Sequence, residues 1–195
     1  MGQKFIKNLW HFIWEEDSTL SWIVNVILAF LIIKFLVYPG LGFALGTTHP
    51  IVAVVSSSME HNQDFDQWWD SNGGFYESFN ITKEEFANYP HKNGFNKGDI
   101  MILRGERPQK LEEGEVIVYW SRRPDPIIHR TIDKFQEGSF YYFQTKGDNN
   151  KAQINDPSLD ETRIREDRVI GKTILRVPFL GYIKIWFVKM IGLFR

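Results

Sequence analysis

Ile127-Ile128-His129-Arg130-Thr131-Ile132-Asp133-Lys134-Phe135, followed across Glu137-Gly138 by Phe140-Tyr141-Tyr142-Phe143-Gln144-Thr145, decides the fold class of this chain. β-Branched and aromatic side chains fit a pleated surface and crowd a helix, so both runs read as strands, with the Glu-Gly pair supplying the turn between them. The same composition recurs at 51–55, 99–103, 115–120 and 168–176. Gly98-Asp99, Gly105, Glu112-Glu113-Gly114 and Gly147-Asp148 punctuate these runs with turn residues. No helical pattern of comparable strength lies among them, so the class is mainly β.

Outside this region both ends are apolar. The run LSWIVNVILAFLIIKFLVY at 20–38 carries only Asn25 and Lys34 as strongly polar residues. As a helix it would rise roughly 28 Å, enough to cross a bilayer. Lys34 can snorkel, Trp22 and Tyr38 fall at the two interface levels, and Pro39-Gly40 is expected to end the helix. A cleaved secretory signal competes with this reading, and Ala44-Leu45-Gly46 offers small residues for cleavage. The run is longer than a signal core, however, and Glu15, Glu16 and Asp17 precede it where a signal carries positive charge. Lys4 and Lys7 lie before the run and no Lys or Arg follows it until Lys83, which places residues 1–19 in the cytoplasm and everything after 38 outside. Residues 4–14 read as an interfacial helix, and 182–195 as a segment on the membrane surface.

Lys and Arg number 23 against 24 Asp and Glu, for a net charge of −1, which supplies no basic field for nucleic acid. The absence of cysteine removes disulfides, thiolate zinc sites and thiol nucleophiles together. No His pair with a neighbouring acid has helical metal-ligand spacing, so neither metal nor cofactor is expected.

Residues 61–97 differ from their surroundings in being acidic, aromatic and rich in Asn and Gly. They read as an insertion. Thr82-Lys83-Glu84-Glu85 is a capping-box pattern that predicts a short helix closed by Pro90. Trp68, Trp69, Phe75, Tyr76 and Phe79 would cover a site, rest on lipid, bind a partner or pack on themselves as a small lobe. Asn80-Ile81-Thr82 matches the glycosylation sequon.

For chemistry, Ser56-Ser57-Ser58 lies about twenty residues past the apolar run, close in sequence to the membrane exit. A serine hydroxyl needs a base within hydrogen-bond reach, and that base needs a third group to orient it. His11 falls on the cytoplasmic side, and His61 and His91 lie in the insertion. His129 sits inside a strand, where alternation fixes its direction, as a base requires.

Ser58-Met59 after an apolar anchor and a strand, Gly98-Asp99-Ile100, Ile128-His129-Arg130, Lys146-Gly147-Asp148-Asn149-Asn150 and Val177-Pro178-Phe179-Leu180-Gly181 occur in an order that resembles type I signal peptidases. Having His where bacterial members carry Lys is similar to the archaeal and endoplasmic-reticulum subtype. The resemblance spans roughly 51–181 apart from the insertion, and departs from the family pattern at Glu60-His61 and in the distance from Asp148 to Asp156.

The resemblance implies an antiparallel β-sheet catalytic domain at 39–181, interrupted by 61–97 and anchored by 20–38. It makes Ser58 the nucleophile and His129 the general base. Asp156 would orient the imidazole with Asp148 assisting, and Asp148 is the second choice for that part. The backbone N–H of Ser58 and the hydroxyl of Ser56 are the candidate oxyanion donors, while Ser57 is expected to point to the opposite face by strand alternation. The implied activity is a membrane-anchored serine endopeptidase that removes signal peptides from secreted preproteins at the outer face of the cell or endoplasmic-reticulum membrane. Preproteins, membrane lipid and accessory membrane subunits are its implied partners. The competing expectations are a non-enzymatic anchored β-domain that binds a translocation or membrane partner, and a related protease that cleaves itself or a regulated membrane substrate.

Overall fold

The computed structural model describes residues 2–182 and Trp186. The expectation of a surface segment over 182–195 lies almost wholly outside the described residues. The chain divides into two compact units, Met1–Ala44 and Leu45–Arg195.

In the first unit, α1 (Gly2–Trp14) precedes a continuous helix over Thr19–Leu45, built from α2 (Thr19–Ile32), a π turn (Ile33–Val37) and α3 (Tyr38–Leu45). Ser18 caps α2 by accepting from the Ser21 N–H at 3.2 Å. Asn25, a polar residue within the apolar run, donates to the Ile13 carbonyl at 2.8 Å, and Ser21 Oγ donates to the Phe12 carbonyl at 2.6 Å. The helix is long and apolar enough to cross a membrane, and its side chains are almost wholly exposed, unlike those of a core helix.

Pro39-Gly40 does not end this helix, contrary to expectation. Pro39 has no N–H and its ring would press on the carbonyl one turn back. The π turn just ahead widens the backbone, with the Tyr38 N–H reaching the Ile33 carbonyl, and the chain carries on to Leu45.

The second unit is built on a seven-stranded antiparallel sheet in the order β1-β2-β9-β3-β4-β5-β8. Its strands are β1 (Ile51–Ala53), β2 (Ile100–Arg104), β3 (Val116–Tyr119), β4 (Ile127–Glu137), β5 (Phe140–Lys146), β8 (Ile164–Arg165) and β9 (Val169–Val177). A separate two-residue ribbon pairs β6 (Asn155–Asp156) with β7 (Leu159–Asp160). The six strands expected from sequence are all present, and the fold is mainly β.

At β3 both faces of the sheet are covered. Its four residues are all buried, and alternation sends Val116 and Val118 into a core with Met59, Phe95, Met101, Leu103 and Ile128. Ile117 and Tyr119 enter a second core with Leu111, Phe143, Leu159 and Ile164. Gly98-Asp99 and the Val177–Gly181 stretch, far apart in sequence, meet at the edge of the first core. Asp99 pairs with Arg176 at 2.6 Å and accepts from the Phe179 N–H at 3.0 Å, while the Gly181 N–H donates to the Gly98 carbonyl at 2.7 Å.

The 61–97 insertion folds as a self-packed aromatic lobe. Asp64 caps α4 (Phe65–Glu77), and Thr82 caps α5 (Lys83–Phe86) by accepting from the Glu85 N–H at 3.2 Å. The expected short helix is thus present with Thr82 as its N-cap, and α4 adds a helix that the sequence pattern does not predict. Trp68, Trp69, Tyr76, Ile81 and Phe86 are buried together with Ile132 of β4. Ile132 and Arg130 leave β4 on the face opposite His129, and this is the face the lobe covers.

Candidate active site

β1 ends at Ala53, two residues short of expectation, so Ser56–Met59 forms a turn and not a strand. Strand alternation therefore does not set the direction of Ser57. Its carbonyl instead accepts from the Glu60 N–H at 3.1 Å and from the Asn149 side-chain amide at 3.1 Å. Met59, fully buried in the first core, anchors the turn beneath Ser58.

His129 is the third residue of β4, opposite Ile117 of β3, and is 4% exposed. Its Nε2 lies 2.9 Å from Ser58 Oγ, so the structure brings together the two side chains that sequence reasoning paired. On the far side of the ring, Nδ1 is hydrogen-bonded to Glu161 Oε1. A carboxylate only accepts, so Nδ1 carries the hydrogen and Nε2 is left to accept from the Ser58 hydroxyl. Ser56 Oγ stands 3.1 Å from Ser58 Oγ.

Glu161 is fully buried and held at both oxygens. Oε1 also accepts from Thr145 Oγ1 at 3.2 Å, and Oε2 accepts from the Ile154 N–H at 2.6 Å. Tyr119 completes the cluster, its hydroxyl 2.8 Å from Thr145 Oγ1. Burial first and the neighbouring Glu161 charge second raise the Tyr119 phenol well above its ordinary value, so it stays protonated.

The two acids expected beside His129 are elsewhere. Asp156 closes the β6–β7 turn, where one carboxylate oxygen accepts from the Ser158 N–H at 2.7 Å, Ser158 Oγ at 2.6 Å and the Leu159 N–H at 3.0 Å. Its other oxygen accepts from Arg123 at 3.1 Å. Hydrogen bonds from Ser158 hold its carboxyl down at about 2. None of its bonds goes to His129. The Asp156-Pro157-Ser158 sequence itself carries the signal of this turn, since Asp followed by Pro-Ser engages its own backbone two residues on.

Asp148 is fully buried on the other face of the sheet. It accepts from Arg130 Nη2 at 2.7 Å, Arg130 Nε at 3.0 Å, the Tyr76 hydroxyl at 2.8 Å and His61 Nε2 at 3.1 Å. Burial alone would push its carboxyl up; the Arg130 charge and the bonds from His61 and Arg130 outweigh that and hold it well below the usual carboxylate range.

Between these two clusters runs the Gly147–Asn150 loop, which forms one wall of the Ser58–His129 pair. The Asn149 N–H donates to the Ser58 carbonyl at 2.8 Å. A Cβ on Gly147 would lie 2.8 Å from the Ser58 carbonyl oxygen and 2.9 Å from His129 Nε2, so only glycine lets the backbone pass this close. Among the described residues no cluster of His and acidic side chains is arranged to hold a metal ion.

No family model matches the chain. Among curated proteins, the signal peptidase complex catalytic subunit SEC11 of Pyricularia oryzae is 30% identical over 154 residues, covering 77% of this chain and 71% of the relative. The proteins of the same name from Metarhizium robertsii and Colletotrichum graminicola are similar to the same extent and over the same shares.

Proposed function

The chain belongs to the family of signal peptidase complex catalytic subunits, and from that premise we propose that Ser58, His129 and Glu161 are the machinery with which it cleaves signal peptides from preproteins. One observation carries the assignment: a half-buried serine hydroxyl, an imidazole and a buried carboxylate bonded in series, with the hydroxyl at the acceptor nitrogen of the ring.

Ser58 Oγ attacks the carbonyl carbon of the scissile bond as Nε2 of His129 takes its proton. Glu161 fixes the tautomer that makes Nε2 the acceptor and stabilises the imidazolium that forms. The imidazolium then protonates the leaving amine, and water, deprotonated by the same nitrogen, hydrolyses the acyl-enzyme. The Ser58 N–H and the Ser56 hydroxyl are the oxyanion donors in this reading, and losing one such donor typically costs about 10²–10³ in rate. Asp148 acts through structure and Asp156 has no part in the chemistry. The Thr19–Leu45 helix anchors the enzyme, with Lys4 and Lys7 on the cytoplasmic side and the catalytic unit on the outer side of the endoplasmic-reticulum or cell membrane. The relatives' name speaks of a complex, which supports accessory subunits for this chain as well.

The test is incubation of the detergent-solubilised protein with a secretory preprotein, comparing the parent with Ser58→Ala and His129→Ala. Both variants are expected to leave the precursor uncut. Cleavage at the parent's rate by Ser58→Ala ends the nucleophile assignment.

A further inference from the structure

We propose that the lobe formed by residues 61–97 is a positioning element for the catalytic pair, with Tyr76, Phe75 and His61 acting on Ser58 and His129 through the Lys146–Asn150 loop. The proposal rests on the reading of that pair as catalytic.

A continuous series of contacts supports it. Cross-strand pairing sets Arg130 of β4 opposite Lys146 of β5, so two cationic side chains leave the sheet side by side on the face away from His129. Both are fully buried, and Asp148 is the carboxylate beside them. Three buried ionisable groups at one spot are tolerated only when their bonds are satisfied. Beyond the Gly114 carbonyl, which Arg130 reaches at 2.8 Å, and the Gly147 carbonyl beside Lys146, the lobe supplies those partners. Arg130 donates to the Pro90 carbonyl at 2.8 Å and the His91 carbonyl at 2.9 Å, and its guanidinium lies 4.6 Å from the Phe86 ring centre. Asp148 takes hydrogen bonds from the Tyr76 hydroxyl and from His61, whose ring is stacked on Trp68 at 3.8 Å. Lys146 Nζ sits 4.9 Å and 5.1 Å from the ring centres of Tyr76 and Phe75, a cage the lobe alone provides.

Lys146 and Asp148 flank Gly147, and Lys146 Nζ donates back to the Gly147 carbonyl at 3.1 Å. Holding these two side chains therefore fixes Gly147, where a Cβ would lie 2.9 Å from His129 Nε2. It also fixes Asn149, whose N–H and side-chain amide grip the carbonyls of Ser58 and Ser57. The Asp148 N–H completes the register by donating to Met59 Sδ at 3.3 Å. A lid would instead lie over the nucleophile, and its loss would be felt in substrate capture.

The discriminating experiment measures kcat and KM on a preprotein for the full-length parent, Tyr76→Phe, Tyr76→Ala and Ser58→Ala. Thermal denaturation is followed in parallel, with titration of folded sites by a reagent that acylates Ser58. Tyr76→Phe keeps the ring over Lys146 and removes only the donor to Asp148; Tyr76→Ala removes both. The expected result is a fall in kcat per titrated site of about tenfold for Phe and about a hundredfold for Ala, with KM within about twofold of the parent. Should Tyr76→Ala fail to fold, Tyr76→Phe decides alone. Parent-like kcat per titrated site in folded Tyr76→Phe overturns the proposal, as does activity lost only in proportion to unfolded protein. A rise in KM at constant kcat overturns it in favour of a substrate-capture surface. Retained cleavage by Ser58→Ala would instead sink the catalytic reading beneath it, so the two failures are told apart.

Discussion

Glu161→Gln isolates the charge behind the imidazole, because it preserves the volume of a fully buried side chain. In the parent, one carboxylate oxygen serves His129 Nδ1–H and the other serves the Ile154 N–H at 2.6 Å. Glutamine has a single acceptor oxygen, so its NH2 must oppose one of these two donors. If it opposes the ring, His129 adopts the other tautomer and Nε2 can no longer take the serine proton. If it opposes Ile154, the tautomer survives but the imidazolium formed in the transition state loses its counter-charge. With about 4 Å between the charge centres and an effective dielectric of about 20, that counter-charge contributes about 4 kcal/mol. The corresponding fall in kcat is about 10³-fold. The assay is the initial rate on saturating preprotein per folded enzyme, with Asp156→Asn alongside. Asp156 bonds a turn and Arg123 at the surface, so that variant should keep kcat within about twofold. Glu161→Gln within about tenfold of the parent, or an equal loss in Asp156→Asn, refutes the assignment.

Gly147→Ala should lower kcat by about 10² or more and the melting temperature with it, since the added methyl meets the Ser58 backbone carbonyl and His129 Nε2 at under 3 Å; parent-like kcat would show the loop is free to retreat. Burial lowers the Lys146 ammonium from 10.5 to about 8, so the folded state bears the full cost of the buried charge below pH 8 and is relieved of it as pH rises to 10.5. Lys146 should therefore add about 3 kcal/mol of stability over that window, a rise that Lys146→Met lacks in urea titrations at pH 7, 9 and 10.5. Burial, with Arg130 and Arg176 nearby, lowers the His91 imidazole to about 4, so the unfolded chain binds the extra proton between pH 6.5 and 4 and stability falls as pH drops through that range. A midpoint series on parent and His91→Asn should show a shallower acid decline in the variant.

The sheet was legible because its strands obey a two-residue period between turn residues; all six expected runs are strands, with boundaries shifted by one or two residues. Short β6, β7 and β8 were not legible, since two-residue strands carry no period. The α4 helix was obscured by Asn72-Gly73-Gly74, which have poor helix propensity. Packing of Trp68, Trp69 and Tyr76 against Ile132 overrides that propensity. Ser58 and His129 were legible from their neighbours along the chain. Glu161 was not, because a two-residue hairpin carries Asp156 to its tip and returns the chain, so that the buried carboxylate arrives from five positions further on. Pro39 misled for a related reason: its penalty is real, and a backbone adjustment upstream absorbs it.

The strand order has a consequence for assembly. β9, last in sequence among the described strands, lies between β2 and β3 and is paired to both. The alcohol sits beyond β1, on one flank of that late strand, and the imidazole sits on β4, on the other. Without β9 the sheet would fall into two leaves, β1–β2 and β3–β4–β5–β8, with one of these groups on each side. Assembly of the Ser58–His129 pair therefore waits on β9, the strand that joins the two leaves.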